Sequence, residues 1–184
     1  RSLWTDLGIR NNVNLEINSL GNSETRKKYK SLLLEFFKEF SSDLDKDSQR
    51  QLKENPLRIL DSKSETIKGL LADVPSILDH LDSDSEDHFN KLKDLLTQSN
   101  IDFEVNDRLV RGLDYYNKTV FEWKTKDLGA QDTVCGGGRY DGLVEQLGGK
   151  KCPATGFSIG LERLVLLVKE NSKGNGPPST NNLD

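Results

Sequence analysis

Methionine is absent from the 184 residues, and long apolar runs are missing as well. The longest apolar run, at residues 164–168, is far shorter than the roughly 18 residues that a membrane-spanning helix needs. The first residues also lack the basic and apolar pattern of a secretory signal. These absences predict a cytoplasmic protein without a membrane segment.

Cysteine is scarce too. Cys135 and Cys152 are too few to form a disulfide framework, and neither has a close cysteine or histidine in the sequence. We therefore predict two reduced thiols and no zinc site. His80 and His88 lie four residues to either side of Asp84, a spacing that can define a weak metal site on one helix face. A helix that starts between them would break that face, so we predict ordinary histidines and no bound metal.

Acidic residues outnumber basic ones, 30 to 26, and the excess is concentrated in the middle of the chain. Residues 41–107 hold 16 acidic and 8 basic residues, a net of −8, whereas residues 108–173 hold 8 and 11, a net of +3. Residues 1–40 hold 5 and 7, a net of +2. Because polyanions bind to clustered Lys and Arg, the middle is a poor non-specific nucleic-acid binder, while residues 108–173 suit an anionic substrate.

Both ends of the sequence have the composition of cut ends. Residues 1–7 are typical of the last turns of a helix, and residues 174–178, GNGPP, are typical of a linker. We therefore expect the chain to continue at both ends.

Hydrophobic periodicity divides the chain into a strand, a helical block and a strand-rich part. Residues 13–17 alternate as in a half-buried strand, and residues 24–40 carry apolar side chains at the spacing of an amphipathic helix. Short helices follow to residue 100, the last of them capped by Asp82 or Ser83. Beyond it we predict strands and one closing helix, at residues 101–105, 119–126, 133–135, 154–159 and 161–169.

A helical block between two pieces of sheet predicts an insertion into an antiparallel α+β domain. We divide the chain into a core segment at residues 1–21, a helical insertion at 22–100, a second core segment at 101–172 and a linker at 173–184.

The densest cluster of chemistry is RGLDYYN at residues 111–117. The Arg111 fork can bind a carboxylate or phosphate through two parallel hydrogen bonds, and Gly112 allows the backbone to bend close to a ligand. The alternative interpretation is a surface pair of Arg111 and Asp114, with Tyr115 and Tyr116 half in the core.

Two further clusters are rich in glycine. CGGGRYDG at residues 135–142 allows close backbone approach or a sharp bend at a strand end, and it lacks the Gly-Lys-Ser/Thr ending of a phosphate-binding loop. GFSIGLERL at residues 156–164 predicts a strand followed by a helix, where Arg163 can stack on a base or meet a phosphate. Structural alternatives stay open for both: a glycine-rich bend with an Arg–Asp pair, and a solvated first helical turn. The basic group at residues 26–28 is either a solvated helix face or a local contact for RNA phosphates.

In this order and at these separations, the clusters resemble the histidyl-tRNA synthetases of bacteria. RGLDYYNKTVF at residues 111–121 and GGRYDGL at 137–143 are similar to the two histidine-specific signatures of that family. GFSIGLERLVL at 156–166 is similar to motif 3 of class II aminoacyl-tRNA synthetases in its histidyl form. NLEINSLG at 14–21 and NPLRILDSK at 55–63 also resemble the family, so the likeness covers nearly the whole chain apart from the tail.

The resemblance implies a ligase that makes histidyl-adenylate from histidine and ATP, with Mg²⁺, and then transfers histidine to tRNA(His). It implies that Arg111 is catalytic and meets both the ATP α-phosphate and the histidine carboxylate, and that Arg163 and Gly160 bind ATP. The other residues that it implies for histidine binding are Tyr115, Tyr116, Tyr140, Gly137 and Gly138.

The resemblance also implies parts that lie outside this sequence: motif 1, motif 2, a C-terminal anticodon-binding domain and most of a homodimer interface. The helical block would be the insertion domain of the family, which approaches the tRNA acceptor stem, and its acidity predicts only local RNA contact. We therefore expect that these 184 residues alone do not activate histidine.

Two rival interpretations stay open. The first is the histidine-sensing regulatory subunit of ATP phosphoribosyltransferase, a paralogue that keeps the synthetase fold without its chemistry. Such proteins usually lack the helical insertion and have eroded signatures, whereas this chain keeps both the block and the Glu162–Arg163 pair. The second is a stand-alone RNA-binding or interaction module made of the helical block, which its acidic charge disfavours.

Overall fold

A five-stranded sheet forms the centre of the computed structural model, which describes residues 1–62, 64–129 and 132–175. Its strands are β1 (Asn14–Ser19), β2 (Glu104–Val105), β3 (Asn117–Lys124), β4 (Thr133–Arg139) and β5 (Thr155–Ile159). They lie side by side in the order β2-β1-β3-β4-β5. All neighbouring strands are antiparallel except β1 and β2, which are parallel.

Helices flank this sheet, so the predicted α+β class is confirmed. The α-helices are α1 (Ser2–Asp6), α2 (Ser23–Lys38), α3 (Lys46–Glu54), α4 (Glu65–Leu71), α5 (Ser83–Gln98), α6 (Leu143–Gln146) and α7 (Leu161–Asn175). Short 3-10 helices lie at Arg10–Asn12, Pro56–Asp61 and Ile77–His80.

Most elements begin and end close to where the periodicity predicts them. Of the two predicted caps of α5, Asp82 is the one observed, and its carboxylate accepts a hydrogen bond from the amide of Ser85 at 3.0 Å. The strand predicted at residues 101–105 is shorter than expected, since only β2 pairs in the sheet. Ile101 and Phe103 pack instead against a hydrophobic core.

Strand β4 is longer than predicted, because it continues through Gly136, Gly137 and Gly138 to Arg139. The alternative of a sharp bend at these glycines is therefore wrong. Pairing with β3 on one side and β5 on the other keeps the segment extended. The glycines instead allow close approach: an added Cβ on Gly136 would lie 2.6 Å from Nη1 of Arg111.

Two hydrophobic cores lie on opposite faces of the sheet. The first fills the helical block and reaches the sheet at Val120 and Tyr116; it includes Tyr29, Leu33, Phe37, Ile59, Ile67 and Ile77. The second lies on the other face and includes Trp4, Ile9, Val13, Ile17, Phe89, Trp123, Val134 and Leu167. Helix α5 contributes Phe89 to the second core, so the helical block is shared between the two cores. The division of the chain at residues 22 and 100 stays a prediction.

Asp82 joins the start of the helical block to its last helix. Asn22 caps α2 by accepting the amide hydrogen of Thr25 at 2.8 Å. Asp82 accepts hydrogen bonds from the amide of Asn22 at 3.3 Å and from the hydroxyl of Thr25 at 3.1 Å. Burial raises the pKa of Asp82, but the bonds from Ser85, Thr25 and Asn22 outweigh burial and hold the pKa below its ordinary value.

Among the described residues, no helix has the length and apolar character that a bilayer crossing requires. Both cysteines are free thiols, Cys135 buried and Cys152 exposed.

In the part of the chain that the structure describes, no three His, Cys, Asp or Glu side chains are grouped as metal ligands. His80 packs near the ring of Tyr29, with 6.0 Å between centroids, while His88 contacts Arg139. The two histidines therefore face different neighbours.

Two adjacent leucines of α2 test the first core. Leu33 is fully buried in it, whereas Leu34 is 47% exposed. We expect Leu33→Ala to lower the free energy of unfolding by ~2–5 kcal/mol, because it leaves a cavity. The control Leu34→Ala is expected to change it by less than ~0.5 kcal/mol. Urea unfolding followed by circular dichroism measures both, and equal losses would contradict the packing of α2.

Candidate functional site

The candidate site lies on the sheet face that carries Val120 and Glu122. Alternation along β3 directs these side chains to one face and Phe121 and Trp123 to the other. The register sets Gly136 beside Glu122 and Gly138 beside Val120, with Ser158 and Gly156 as their neighbours on β5. Four small residues on two strands thus leave a flat floor on this face.

Arg111 lies on this floor. Its guanidinium rests over Gly136, and its Nη1 donates a hydrogen bond to the Glu122 carboxylate. The side chains of Arg111 and Glu122 are 21% and 10% exposed, so the pair is largely shielded from water. The Nε of Arg111 is buried and has no hydrogen-bond partner among the described residues. The guanidinium is therefore fixed in place through Nη1.

Glu122 is the centre of a charge cluster that the sequence did not reveal. It also accepts a hydrogen bond from the hydroxyl of Thr133 at 3.0 Å and lies 3.7 Å from the ammonium of Lys124. Burial lowers the pKa of Lys124, but Glu16 at 3.0 Å and Glu122 outweigh it and raise the pKa. A carboxylate on the same face of β3 as Val120 is the one sequence signal that could have identified Glu122.

Arg163 meets Arg111 across one cavity of about 370 Å³. It lies in the first turn of α7 and donates from Nη1 to the carbonyl of Thr133 at 2.8 Å. Gly160 and Cys135 also line this cavity, as does Glu122. Two guanidinium groups and a floor of small residues suit a ligand with several negative charges.

Three tyrosines form an aromatic cluster beside Arg111. The ring centroids of Tyr115 and Tyr116 are 4.7 Å apart, and Tyr140 lies 5.6 and 6.1 Å from them. Two glycines of the floor allow Tyr116 and Tyr140 to lie against the sheet. A Cβ on Gly138 would lie 2.9 Å from the ring of Tyr116, and a Cβ on Gly156 would collide with the hydroxyl of Tyr140. Burial, and then the neighbouring Tyr115, raise the pKa of Tyr116. Its phenol is therefore neutral at pH 7 and keeps its proton to donate.

A second cavity, of about 410 Å³, lies between α2 and the loop that carries Arg111. Arg26, Lys27 and Lys30 of α2 line it together with Arg111, and Asp114 is the one acidic residue in its described lining. Both Arg111 and Tyr116 line this second cavity. Arg111 also lines the first cavity, and Tyr116 also belongs to the tyrosine cluster. This second cavity, the basic cleft, thus adjoins the candidate site at Arg111.

The structure brings together seven of the eight residues that the sequence singled out. Arg111, Gly160 and Arg163 line one cavity, while the three tyrosines and Gly138 form its neighbour. Gly137 differs, because an added Cβ would point away from this face and meet Cα of Phe157 at 2.7 Å. The ligand-binding roles of all eight remain predictions.

A resident Mg²⁺ does not fit this site. Within the described lining of the first cavity, Glu122 is the one carboxylate, and Arg111, Thr133 and Lys124 already engage it. Mg²⁺ usually takes one or two carboxylates, several waters and the phosphates of a substrate. These residues therefore form no cage for Mg²⁺ by themselves.

Comparison with known proteins identifies related sequences and structures. A family model described as histidyl-tRNA synthetase matches residues 37–164. Apo histidyl-tRNA synthetase of S. aureus is 32% identical, with a TM-score of 0.70, and the match covers 100% of this chain and 44% of that chain. This chain therefore spans less than half of the S. aureus chain.

Two further matches are more distant. The histidine–tRNA ligase subunit of Alicyclobacillus acidocaldarius is 19% identical, with a TM-score of 0.52, over 92% of this chain and 58% of that one. An ATP phosphoribosyltransferase regulatory subunit/histidyl-tRNA synthetase from Bacillus halodurans is 20% identical, with a TM-score of 0.42, over 90% of this chain and 47% of that one.

Removing the Glu122 charge tests how Arg111 is held. We expect Glu122→Gln to lower the free energy of unfolding by on the order of 2 kcal/mol; partial exposure of Arg111 lessens the ~3–5 kcal/mol cost of breaking a fully buried pair. Glu104→Gln, in the exposed strand β2, is the matched control and should have little effect. Urea denaturation compares the two variants. An unchanged free energy of unfolding in Glu122→Gln would show that the pair does not hold Arg111.

Proposed function

The chain belongs to the histidyl-tRNA synthetase family, and we propose that the full-length protein is a cytoplasmic histidine–tRNA ligase. It would use ATP to activate histidine as histidyl-adenylate and then transfer histidine to tRNA(His), as a homodimer. The observation that carries the proposal is that Arg111 and Arg163, from two separate signatures, face one cavity beside a cluster of phenols.

In the proposed first reaction, the histidine carboxylate attacks the α-phosphorus of ATP in line, and pyrophosphate leaves. Negative charge spreads over the phosphoryl oxygens, so positioned cations matter more than a covalent catalyst. Arg111 is the proposed catalytic residue. Its guanidinium is fixed by Glu122 and rests on Gly136, so it needs little reorganisation when charge develops.

Arg163 and Gly160 are the proposed ATP ligands on the other side of the cavity. The bond from Arg163 to the Thr133 carbonyl leaves part of its guanidinium fork for adenine or the γ-phosphate. Gly160 lies next to the Arg163 side chain, where an added Cβ would be 3.4 Å from its Cδ. Mg²⁺ is proposed to enter with ATP, held mainly by the phosphates, since the residues present do not form a site for it.

The tyrosine cluster is the proposed pocket for the histidine side chain. The phenol of Tyr116 or Tyr140 can donate a hydrogen bond to an imidazole nitrogen. An amino acid with an apolar ring would leave that phenol unpaired, and such a loss discriminates strongly between substrates. Tyr115 packs against both rings. Gly138, and the backbone of Gly137, would form the floor of this pocket.

We further propose that the basic cleft receives phosphates of the tRNA acceptor end. Its support is local charge: Arg26, Lys27 and Lys30 line the cleft, although the rest of the helical block is acidic. Clustered cations attract a polyanion even where the wider surface repels it. The cleft also shares Arg111 with the proposed catalytic cavity, so an RNA end bound there would lie next to the activated histidine.

Histidine-dependent exchange of pyrophosphate into ATP tests the activation step. In the full-length protein we expect Arg111→Ala to reduce exchange by ~10²–10³-fold, as for other lost donors to a developing charge. Arg50→Ala on α3, whose side chain is 65% exposed, is the matched control and should be neutral.

The isolated 184-residue chain is expected to show no exchange, and detectable activity would contradict that expectation. Histidine binding by the full-length protein without any exchange would favour the histidine-sensing regulatory paralogue, and the roles of Arg111 and Arg163 as ATP ligands would be wrong.

Two neighbouring lysines test the basic cleft. Lys27 lines it, whereas Lys28 pairs with Glu24 at 2.9 Å and does not. We expect Lys27→Ala to weaken tRNA(His) binding and to reduce the slope of log K against log salt by about 1, the value for one lost phosphate contact. Lys28→Ala should leave the slope unchanged. Filter binding across a salt series measures it, and equal slopes would exclude the cleft as a phosphate site.

A further inference from the structure

One carboxylate outside the proposed catalytic groups is at the centre of a hydrogen-bond cluster. Both carboxylate oxygens of Asp141 share the single Nε hydrogen of Arg139 in a bifurcated bond, at 2.7 and 2.9 Å, and one of them accepts from Nδ2 of Asn117 at 3.2 Å. Asp141 also accepts the amide hydrogen of Ala154 at 3.1 Å. Its own amide donates to Oδ1 of Asn117 at 3.0 Å, so these two residues bond to each other twice.

The partners of Asp141 are the chain neighbours of the two tyrosines. Asn117 directly follows Tyr116, and Arg139 directly precedes Tyr140. The carbonyl of Ala154 accepts the amide hydrogen of Tyr140 at 2.8 Å. Asp141 therefore links three backbone segments, and two of them carry the rings of the proposed histidine pocket.

We propose that Asp141 is a positioning residue that fixes the spacing of Tyr116 and Tyr140 and thereby sets the affinity for histidine. The spacing it would hold is the 6.1 Å between the two ring centroids. This inference rests on the proposed function, because it gives those rings the role of the histidine pocket. On the proposed ATP side of the site, Arg163 donates to the carbonyl of Thr133, and among the described residues no hydrogen bond joins it to the Asp141 cluster.

The cluster is also connected to helix α5. Nη1 of Arg139 lies 3.0 Å from Nε2 of His88, which must be the unprotonated nitrogen to accept this bond. Lys118, Asp84 and Asp141 are the other charged groups that face the ring. Burial, and then Arg139, lower the pKa of His88, so the imidazole is neutral at pH 7 and suited to accept. Arg139 is therefore held from both sides.

The hydrogen bonds of the cluster also favour the ionised form of the Asp141 carboxyl group. Burial raises its pKa, but the bonds from Arg139, Ala154 and Asn117 outweigh burial and lower it. Charge-assisted hydrogen bonds of this kind are about twice as strong as neutral ones. An asparagine at position 141 would keep the shape but turn an NH₂ group towards donors, so the cluster would open.

The test is Asp141→Asn in the full-length protein, with pyrophosphate exchange measured while histidine and ATP are varied separately. We expect KM for histidine to rise about tenfold, equivalent to one charge-assisted bond, while KM for ATP changes less than about twofold. Asp102→Asn is the matched control, because that aspartate forms an exposed ion pair with Arg10. Should Asp141→Asn fail to fold, Asn117→Ala removes two bonds of the cluster and should give the same selective rise.

The outcomes separate this inference from the proposed function. Suppose that the wild-type protein catalyses exchange. An unchanged KM for histidine in Asp141→Asn, or equal rises in its KM values for histidine and ATP, would then overturn the role of Asp141 but not the ligase proposal. If the wild-type protein binds histidine without exchange, the ligase proposal fails, and calorimetric Kd values then decide: a tenfold weaker Kd in Asp141→Asn upholds the positioning role. A wild-type protein that neither exchanges nor binds histidine would overturn both.

Discussion

The candidate site depends on the absence of side chains in the middle of β4. Each glycine in a strand costs roughly 0.5–1 kcal/mol relative to alanine, so three in succession weaken the sheet. They allow contacts that no other residue permits: the Arg111 guanidinium rests on Gly136, and the ring of Tyr116 rests on Gly138. On the reverse face, Gly137 lets the backbone of β5 approach. One stretch of bare backbone therefore fixes both the cation and the aromatic wall.

Burying the Arg111 guanidinium against the sheet removes its positive charge from water, and the carboxylate of Glu122 compensates for that loss of hydration. The pair reduces the cost of burying Arg111, yet it satisfies only one of the guanidinium nitrogens, because Nε stays without a partner among the described residues. An unpaired buried donor destabilises the unliganded protein. Packing Arg111 onto Gly136 therefore leaves this part of the sheet below its maximal stability.

Local structure was predictable from the sequence, but the long-range contacts were not. The period of α2 and the cap at Asp82 depend on neighbours a few residues away, and both predictions agree with the structure. The pairing of Arg111 with Glu122 depends on how the strands are placed in the sheet. The bond between Asp82 and Asn22 depends on how the chain folds back over 60 residues. Gly137 shows the same limit, since a run of three glycines does not reveal which of them faces the site.

The helical block and the tyrosine cluster cannot move independently. Tyr116 belongs to the first hydrophobic core, which fills the block, and its ring also forms one wall of the proposed histidine pocket. Within the block, the Asp82 hydrogen bonds hold the start of α2 against the start of α5, which leaves α2 little freedom to swing. A ligand in the basic cleft shifts this arrangement only if it binds one position of α2 more tightly than another. Any such shift must repack Tyr116, so occupancy of the cleft would alter a wall of the proposed histidine pocket.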